Sequence, residues 1–196
     1  GLLYQQGYFR QIVDAQGNQQ AVYPFNSPSQ LPIQPLRRED GEWLRIKLSL
    51  PGCSLWLRAW EAKVGRTKLY LLDSNDVVNH PVHRGITSEL YGGDLEMRLK
   101  QELVLGLGGV RLLEQMGIEP DVCHLNEGHA AFAILERAQL CMQKHGISFA
   151  EALATVRSSH LFTTHTAVPA GFDRFPYGLI ETYLTHYAEE HLHIPF

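Results

Sequence analysis

The fold is decided by a short, mostly apolar run that ends in a polar cluster, DVCHLNEGH, at positions 121–129. Residues 121–125 are predicted to form a short strand, because the run is mostly apolar. A second strand is predicted over 161–164, and it is followed directly by His165 and Thr166. Each predicted strand therefore leads into polar side chains.

Helices are predicted between these two strands. One runs from about His129 to Lys144 and is ended by Gly146. Ser148 and Glu151 have the spacing of a capping box and begin the next helix. Strands that alternate with helices predict an α/β fold with a parallel sheet flanked by helices. Such sheets bind ligands beyond the carboxyl ends of their strands, where the polar clusters lie.

Two more helices flank this region. Asp94 is placed to cap the first, and Pro176 is a good first residue for the last, which runs to about Glu190. The glycine-rich stretch 106–109 does not follow a strand, so it is interpreted as close packing against the sheet and not as a phosphate loop. One face of the first helix is predicted to carry Leu95, Leu99, Leu103, Leu107 and Val110.

The composition changes near residue 90, and the chain is interpreted as a single partial domain, 1–196, with two portions. Portion 1–90 is β-rich with loops, and portion 91–196 alternates strands and helices. Residues 27–35 contain three prolines and are predicted to be an extended loop. Strands of the first portion are predicted over 4–13, 44–50, 55–60 and 69–72.

A polar stretch containing Asp73, Asp76, His80 and His83 is interpreted as a surface loop. It lies close to the end of the β-rich portion, where polar residues outnumber apolar ones. A loop of this composition carries no predicted chemistry.

The bulk composition excludes several classes of protein. Hydrophobic residues make up 44% and charged residues 19%, with a formal net charge of −4, which argues against a nucleic-acid partner. No apolar run approaches the roughly 20 residues of a membrane helix, so no membrane partner is expected. The start lacks both Met and a basic region, which indicates no signal peptide and a truncated chain. Three scattered cysteines are typical of a reduced, cytoplasmic protein.

Candidate binding residues are Asn126, Glu127 and His129, followed along the chain by His165. An amide, a carboxylate and an imidazole together suit a polyhydroxylated ligand, which needs donors and acceptors. The alternative is that Asn126 and Glu127 only cap a helix while His129 fills a gap in the core. For His165 the alternative is a buried imidazole bonded to nearby backbone.

A metal site is not predicted. His124, Glu127 and His129 lack the H-E-x-x-H spacing, and no third histidine follows at a suitable distance. The sequence therefore assigns no metal ligands.

Four segments resemble the α-glucan phosphorylases, the family of glycogen, starch and maltodextrin phosphorylases. These are YQQGYFRQ at 4–11, MRLKQE at 97–102, LNEGHAA at 125–131, and THTAVP at 164–169, with RFP at 174–176. They follow the order of the family and span nearly the whole chain. Glutamate and alanine within 125–131 stand where the animal enzymes have Asp and Pro, which indicates the divergent bacterial branch.

The resemblance implies a two-lobe GT-B glycosyltransferase fold, of which this chain is part of one Rossmann-like lobe. It implies reversible phosphorolysis of α-1,4-glucan to glucose 1-phosphate with pyridoxal 5′-phosphate. His165 corresponds to a histidine that contacts the glucosyl unit, while Glu127 and His129 line a neighbouring pocket. The cofactor lysine and phosphate-binding residues belong to a second lobe absent here. No catalytic or cofactor-binding residue is therefore assigned, and the chain is expected to be inactive alone.

The implied partners are α-1,4-glucan or maltodextrin and inorganic phosphate, and the full-length enzyme is expected to be a homo-oligomer. Two alternatives remain open: a GT-B transferase of the glycogen synthase type, and a non-catalytic glucan-binding module. The motifs at 98–102 and 165–169 favour the phosphorylase over the synthase.

Overall fold

The computed structural model describes residues 1–196, apart from the side chain at position 170. The chain forms two compact units. The first contains Gly1–Arg45 and Trp56–Arg98, and the second contains Ile46–Leu55 and Leu99–Phe196.

The N-terminal part of the first unit is a hairpin of two short strands joined at Asp14. The Oδ1 atom of Asp14 accepts hydrogen bonds from the backbone N–H groups of Gln16, at 2.9 Å, and Asn18, at 2.8 Å, which closes the turn. The predicted strand over 4–13 is too long, because the residues before Arg10 form only isolated bridges. The hairpin strands are β1 (Arg10–Val13) and β2 (Gln19–Val22).

A larger sheet follows the hairpin. Its strand order is β3–β5–β4, with β6 also paired to β5. Within the first unit, β5 pairs antiparallel with both β3 and β6. The predicted strands over 44–50, 55–60 and 69–72 are confirmed. The strands are β3 (Ile33–Pro35), β4 (Arg45–Leu50), β5 (Cys53–Val64) and β6 (Thr67–Asp73).

The prediction of an extended loop over 27–35 is wrong in part. Residues Pro28–Gln30 form a 3-10 helix, and Ile33–Pro35 is the strand β3. Proline is compatible with this strand because β3 lies at one end of the strand order, where a missing N–H leaves no ladder bond broken.

The polar stretch that starts at the end of β6 is only in part a surface loop, because His80 is exposed while the two aspartates are buried. Asp73 and Asp76 are only 3% and 1% exposed. Each pairs with an arginine, Asp73 with Arg58 at 2.6 Å and Asp76 with Arg45 at 2.7 Å. Buried carboxylates need such partners, and these come from strands more than ten residues earlier in the chain.

Most helices belong to the second unit, while α1 and the first residues of α2 belong to the first unit. Predicted helix starts are confirmed at Asp94, whose Oδ1 accepts from the N–H of Met97 at 2.8 Å, and at the Ser148–Glu151 capping box. Gly146 ends a helix in the left-handed conformation with φ 66°. The helices are α1 (Pro81–Arg84), α2 (Leu95–Leu103), α3 (Gly109–Gln115), α4 (Ala133–His145), α5 (Phe149–Arg157) and α6 (Tyr177–His191).

Three details of the helices differ from the prediction. A π-helical turn, Val104–Gly108, joins α2 to α3. A 3-10 turn, Gly128–Ala130, precedes α4, which therefore starts at Ala133 and not at 129. Pro176 is the N-cap of α6 and not its first residue. Of the predicted apolar face, only Leu95 is exposed, at 40%.

Two further strands form a parallel pair in the second unit. They are β7 (Cys123–Asn126) and β8 (His160–Thr163). Leu125 of β7 packs in a buried cluster with Val110 of α3 and Ala133 of α4. The chain is thus mixed α/β, with a parallel strand pair in which β7 packs against α3 and α4. In the part of the chain that the structure describes, no helix is both long and apolar enough to span a bilayer.

Candidate functional site

The carboxyl ends of β7 and β8 lie side by side. Asn126 is the register partner of Thr163, and the N–H of Glu127 then donates to the carbonyl oxygen of Thr163 at 2.8 Å. His165 follows two residues after Thr163. The two polar clusters that follow the predicted strands therefore meet at one edge of the parallel pair, as the strand order predicts.

Glu127 is the buried centre of this edge, with 4% of its surface exposed. Its Oε1 atom accepts hydrogen bonds from the backbone N–H groups of His165, at 2.7 Å, and Thr166, at 2.8 Å. Its Oε2 atom accepts from the Thr164 hydroxyl at 3.1 Å. One carboxylate thus ties three successive residues of the segment after β8 to the end of β7.

The backbone of Glu127 has φ 60° and ψ −172°. This region is almost restricted to glycine, and another residue there costs roughly 1–3 kcal/mol. Glu127 occupies the N-cap position of the 3-10 turn, but its side chain makes no capping hydrogen bond. The interpretation of Glu127 as a simple helix cap is therefore wrong.

These contacts keep the Glu127 carboxylate ionised. Hydrogen bonds to the carboxylate lower the pKa of Glu127 from 4.5 to about 2, although burial opposes this shift. The largest contribution comes from the N–H of His165, and smaller ones come from Thr166 and the Thr164 hydroxyl. Hydrogen bonds to a charged carboxylate stabilise that form over the protonated one. The edge therefore holds a negative charge throughout the physiological pH range.

The imidazole of His165 lies over this edge. Its Nε2 atom is 3.2 Å from Asn126 Oδ1, and its Nδ1 atom is 3.4 Å from Glu127 Oε1. The side chain is nevertheless 61% exposed. Because more than half of this side chain is exposed, the imidazole is accessible to a ligand, and the interpretation of His165 as a buried core residue does not hold.

The segment after His165 folds back closely on itself. A Cβ added at Gly171 would lie 2.5 Å from Cγ2 and 2.6 Å from Cβ of Thr166. Carbon atoms that are not bonded to each other do not approach so closely, so only glycine fits this position without a shift. Thr166 is thus held on one side by Glu127 and on the other by this close turn.

His129 lies in the 3-10 turn that follows Glu127 and is half-buried. One nitrogen of His129, one carboxylate oxygen of Glu102 and one of Asp173 all lie within 4.8 Å of one another. Such a group can hold the imidazole between two carboxylates, and its spacing is also compatible with a cation. His124 is occupied elsewhere, with its Nε2 atom 2.7 Å from the Thr163 hydroxyl. The expectation of no metal stays a prediction.

Sequence reasoning missed Glu102 and Asp173. Glu102 is buried in α2, and Asp173 is exposed after the close turn. Both belong to segments quoted above or next to them, since Glu102 ends MRLKQE and Asp173 precedes RFP. The signal was present in the motifs, but no local pattern joins a helix residue to a loop residue about 70 positions away.

The exposed groups of this edge include acceptors and donors. Asn126 presents an amide and His165 an imidazole, and the neighbouring Thr164 adds a hydroxyl. Polyhydroxylated ligands need this mixture, because each hydroxyl both donates and accepts. The geometry brings together Asn126, Glu127 and His165 by direct contact, and His129 lies two residues further along the chain.

The strand-end residues lie in a part of the chain that matches a known protein family. The family described as Carbohydrate phosphorylase matches residues 95–194, a range that contains β7, β8 and the whole edge described above.

Relatives along nearly the whole chain agree with this match. Maltodextrin phosphorylase of Thermococcus litoralis is 47% identical over 96% of this chain and 23% of its own length. Glycogen phosphorylase of Mycobacterium tuberculosis is 44% identical over 94% of this chain and 22% of its own. That of Aquifex aeolicus is 36% identical over 92% and 26%. The chain spans about a quarter of these relatives, and it belongs to the carbohydrate phosphorylase family.

Proposed function

We propose that this chain is part of an α-1,4-glucan phosphorylase and contributes to the glucan-binding side of its active site. The full-length protein would catalyse reversible phosphorolysis of glycogen or maltodextrin to glucose 1-phosphate. The observation that carries the proposal is the edge formed by β7 and β8, where Glu127 ties down the segment that presents His165. That edge lies inside the range matched by the family.

In this proposal His165 hydrogen-bonds a hydroxyl of the glucosyl unit at the cleavage site. Its ring is supported by Asn126 and is more than half exposed, so a sugar can reach it without rearrangement. Asn126 and His129 would contact neighbouring hydroxyls. These residues orient the sugar, and none is assigned a proton transfer. Orientation is itself a large source of rate enhancement when the reacting atoms must be aligned.

The family's cofactor, pyridoxal 5′-phosphate, supplies a phosphate group that assists proton transfer to inorganic phosphate. The side chains joined at the strand ends are a carboxylate, an amide, an imidazole and hydroxyls, with no lysine among them. This set does not fit a cofactor that is held through a lysine amine. We therefore assign the cofactor to the longer protein and derive no step through it here.

The chain's architecture supports its placement in one Rossmann-like lobe of a GT-B fold, since β7 and β8 are parallel and β7 packs against α3 and α4. Cys53, Cys123 and Cys141 are free thiols, which supports a cytoplasmic location. The partners would be α-1,4-glucan and inorganic phosphate, with a homo-oligomer for the full-length enzyme.

Family membership favours this function over a transferase of the glycogen synthase type. A non-catalytic glucan-binding module would share the binding edge but would not turn over substrate. Release of glucose 1-phosphate by the full-length protein separates these alternatives.

The test is steady-state kinetics of the full-length His165→Ala enzyme with maltodextrin and phosphate. Loss of one hydrogen bond, worth about 0.5–1.5 kcal/mol, together with some misplacement of the sugar, should lower kcat/KM by roughly 10- to 100-fold. The cofactor absorbance should persist. His145→Ala is the matched control, because His145 is exposed in the last turn of α4, away from the strand ends. A loss below about twofold would remove His165 from the binding site.

A further inference from the structure

We propose that Glu127 is a positioning residue, whose carboxylate sets the backbone of His165 and does not itself contact the glucan. This inference rests on the proposed function, in which His165 contacts the glucosyl unit. It concerns a separate question, namely what holds His165 in place.

The hydrogen-bonding capacity of Glu127 is largely taken up by the protein. Two backbone N–H groups donate to Oε1 and the Thr164 hydroxyl donates to Oε2. The side chain is 5% exposed, so a sugar hydroxyl has little access to the remaining lone pairs. A carboxylate that bound glucan directly would instead present free oxygens to solvent.

The two backbone N–H groups held by Oε1 lie on either side of the His165 Cα atom. The N–H of His165 belongs to the peptide plane before that atom, and the N–H of Thr166 belongs to the plane after it. A single acceptor for both N–H groups, at 2.7 and 2.8 Å, restrains both planes. Because peptide groups are planar, fixing both planes fixes φ and ψ of His165 and thus the direction in which its side chain leaves the backbone.

The backbone of Glu127 supports the same conclusion. Most positions of positive φ in this chain are glycine, for example Gly117 and Gly146, each with φ 66°, although Tyr91 and His193 also have positive φ. Glutamate instead occupies a conformation that is almost restricted to glycine, with φ 60° and ψ −172°. Strained residues of this kind persist where the surroundings over-determine them and cluster at functional sites. Here the three hydrogen bonds to the carboxylate are the compensating contacts.

The experiment uses full-length enzyme with Glu127→Gly and Glu127→Gln, each alone and combined with His165→Ala. The Gly variant relieves the backbone strain but removes the acceptor, so folding should persist. Its kcat/KM should fall on the order of 10- to 100-fold because the imidazole is misplaced. The Gln variant keeps one carbonyl oxygen for the two N–H groups and should stay within about fivefold of wild type.

The double variants separate positioning from an independent contribution. If Glu127 acts through His165, then Glu127→Gly should change kcat/KM by less than about threefold when His165 is already alanine. Glu151→Gln is the matched control, since Glu151 also accepts a backbone N–H, from Ser148, in the capping box of α5. That control should leave kcat/KM unchanged.

The outcomes distinguish the two proposals. A Glu127→Gly enzyme within about twofold of wild-type kcat/KM, full additivity with His165→Ala, or a Gln variant as impaired as the Gly variant would each overturn the positioning role. If His165→Ala loses less than twofold, the proposed role of His165 fails instead. Should the Gln variant not fold, the Gly variant and its combination with His165→Ala still decide the question.

Discussion

At the scale of single residues, the charge on Glu127 has a measurable consequence for stability. Its pKa in the folded protein, about 2, lies below the ordinary value of 4.5, mainly because of the hydrogen bond from the His165 N–H. A lowered pKa means that the folded state favours the ionised form. The stabilisation is therefore fully present above pH 4.5 and is lost as the pH falls towards about 2.

We expect the stability difference between wild type and Glu127→Gln to shrink across this pH window. Urea unfolding at several pH values between about 5 and 2 measures it, because only the wild type carries this titrating carboxyl. Glu114→Gln, at an exposed position of α3, serves as the control for a general effect of removing a carboxylate. A difference that stays constant with pH would contradict the hydrogen-bonded, ionised state of Glu127.

A second carboxylate, Glu136, is buried within α4. Arg111 donates to both of its oxygens, at 2.6 and 3.1 Å, and the Tyr187 hydroxyl donates to Oε2 at 2.9 Å. Burial, followed by the nearby Glu136 charge, raises the pKa of Tyr187. The group joins α3, α4 and α6 of the second unit through one carboxylate.

Arg111→Met should destabilise the protein by about 3–5 kcal/mol, because it leaves the Glu136 charge buried without its cation. Tyr187→Phe removes one hydrogen bond to a charged group and should cost about 1.5–3 kcal/mol. Thermal and urea unfolding of the two variants check this order. Equal costs would show that the arginine is not the main partner of the carboxylate.

At the scale of secondary-structure elements, the junction of α2 and α3 depends on a glycine. A Cβ at Gly106 would lie 2.8 Å from the Ala133 backbone nitrogen and 2.8 Å from Phe132 Cβ. The predicted close packing is confirmed here, but the partner is the start of α4 and not the sheet. The π-helical turn Val104–Gly108 occurs at this close approach.

Gly106→Ala should destabilise the protein by about 1–3 kcal/mol, since the backbone atom it meets cannot move easily. Gly109→Ala is the matched comparison, because a Cβ there meets nothing within 4 Å. It should stabilise the protein by up to about 1 kcal/mol, because alanine is the better helix former. Urea unfolding of the two variants should show effects of opposite sign. If both substitutions stabilise, the close approach at Gly106 is not rigid.

At the scale of the whole molecule, the chain covers about a quarter of the length of its phosphorylase relatives. We expect the purified 196-residue chain to release no glucose 1-phosphate from maltodextrin and phosphate, because the cofactor-binding residues are assigned to the longer protein. The assay compares the chain with a heat-killed sample. Phosphorolysis above that background would contradict the assignment.

Local patterns were sufficient for most elements and for bringing the two polar clusters to one edge of the strand pair. The alternation over 44–50, the capping box at Ser148 and Glu151, and the terminal Gly146 each involve residues close together along the chain. The juxtaposition of Glu127 and His165 was also predictable, because parallel strands joined through helices end at the same edge. In these cases residues close together along the chain determine each element, and the order of strands and helices determines which strand ends meet.

Contacts between distant residues were decided only by the tertiary structure. The Glu127 carboxylate turns to backbone N–H groups 38 and 39 positions later instead of capping its own turn. Asp73 and Asp76 are buried with arginines, although their local sequence is typical of a surface loop. A polar side chain is buried only where a partner offsets its loss of water. That partner lies on another element, and the local sequence pattern does not show which element packs there.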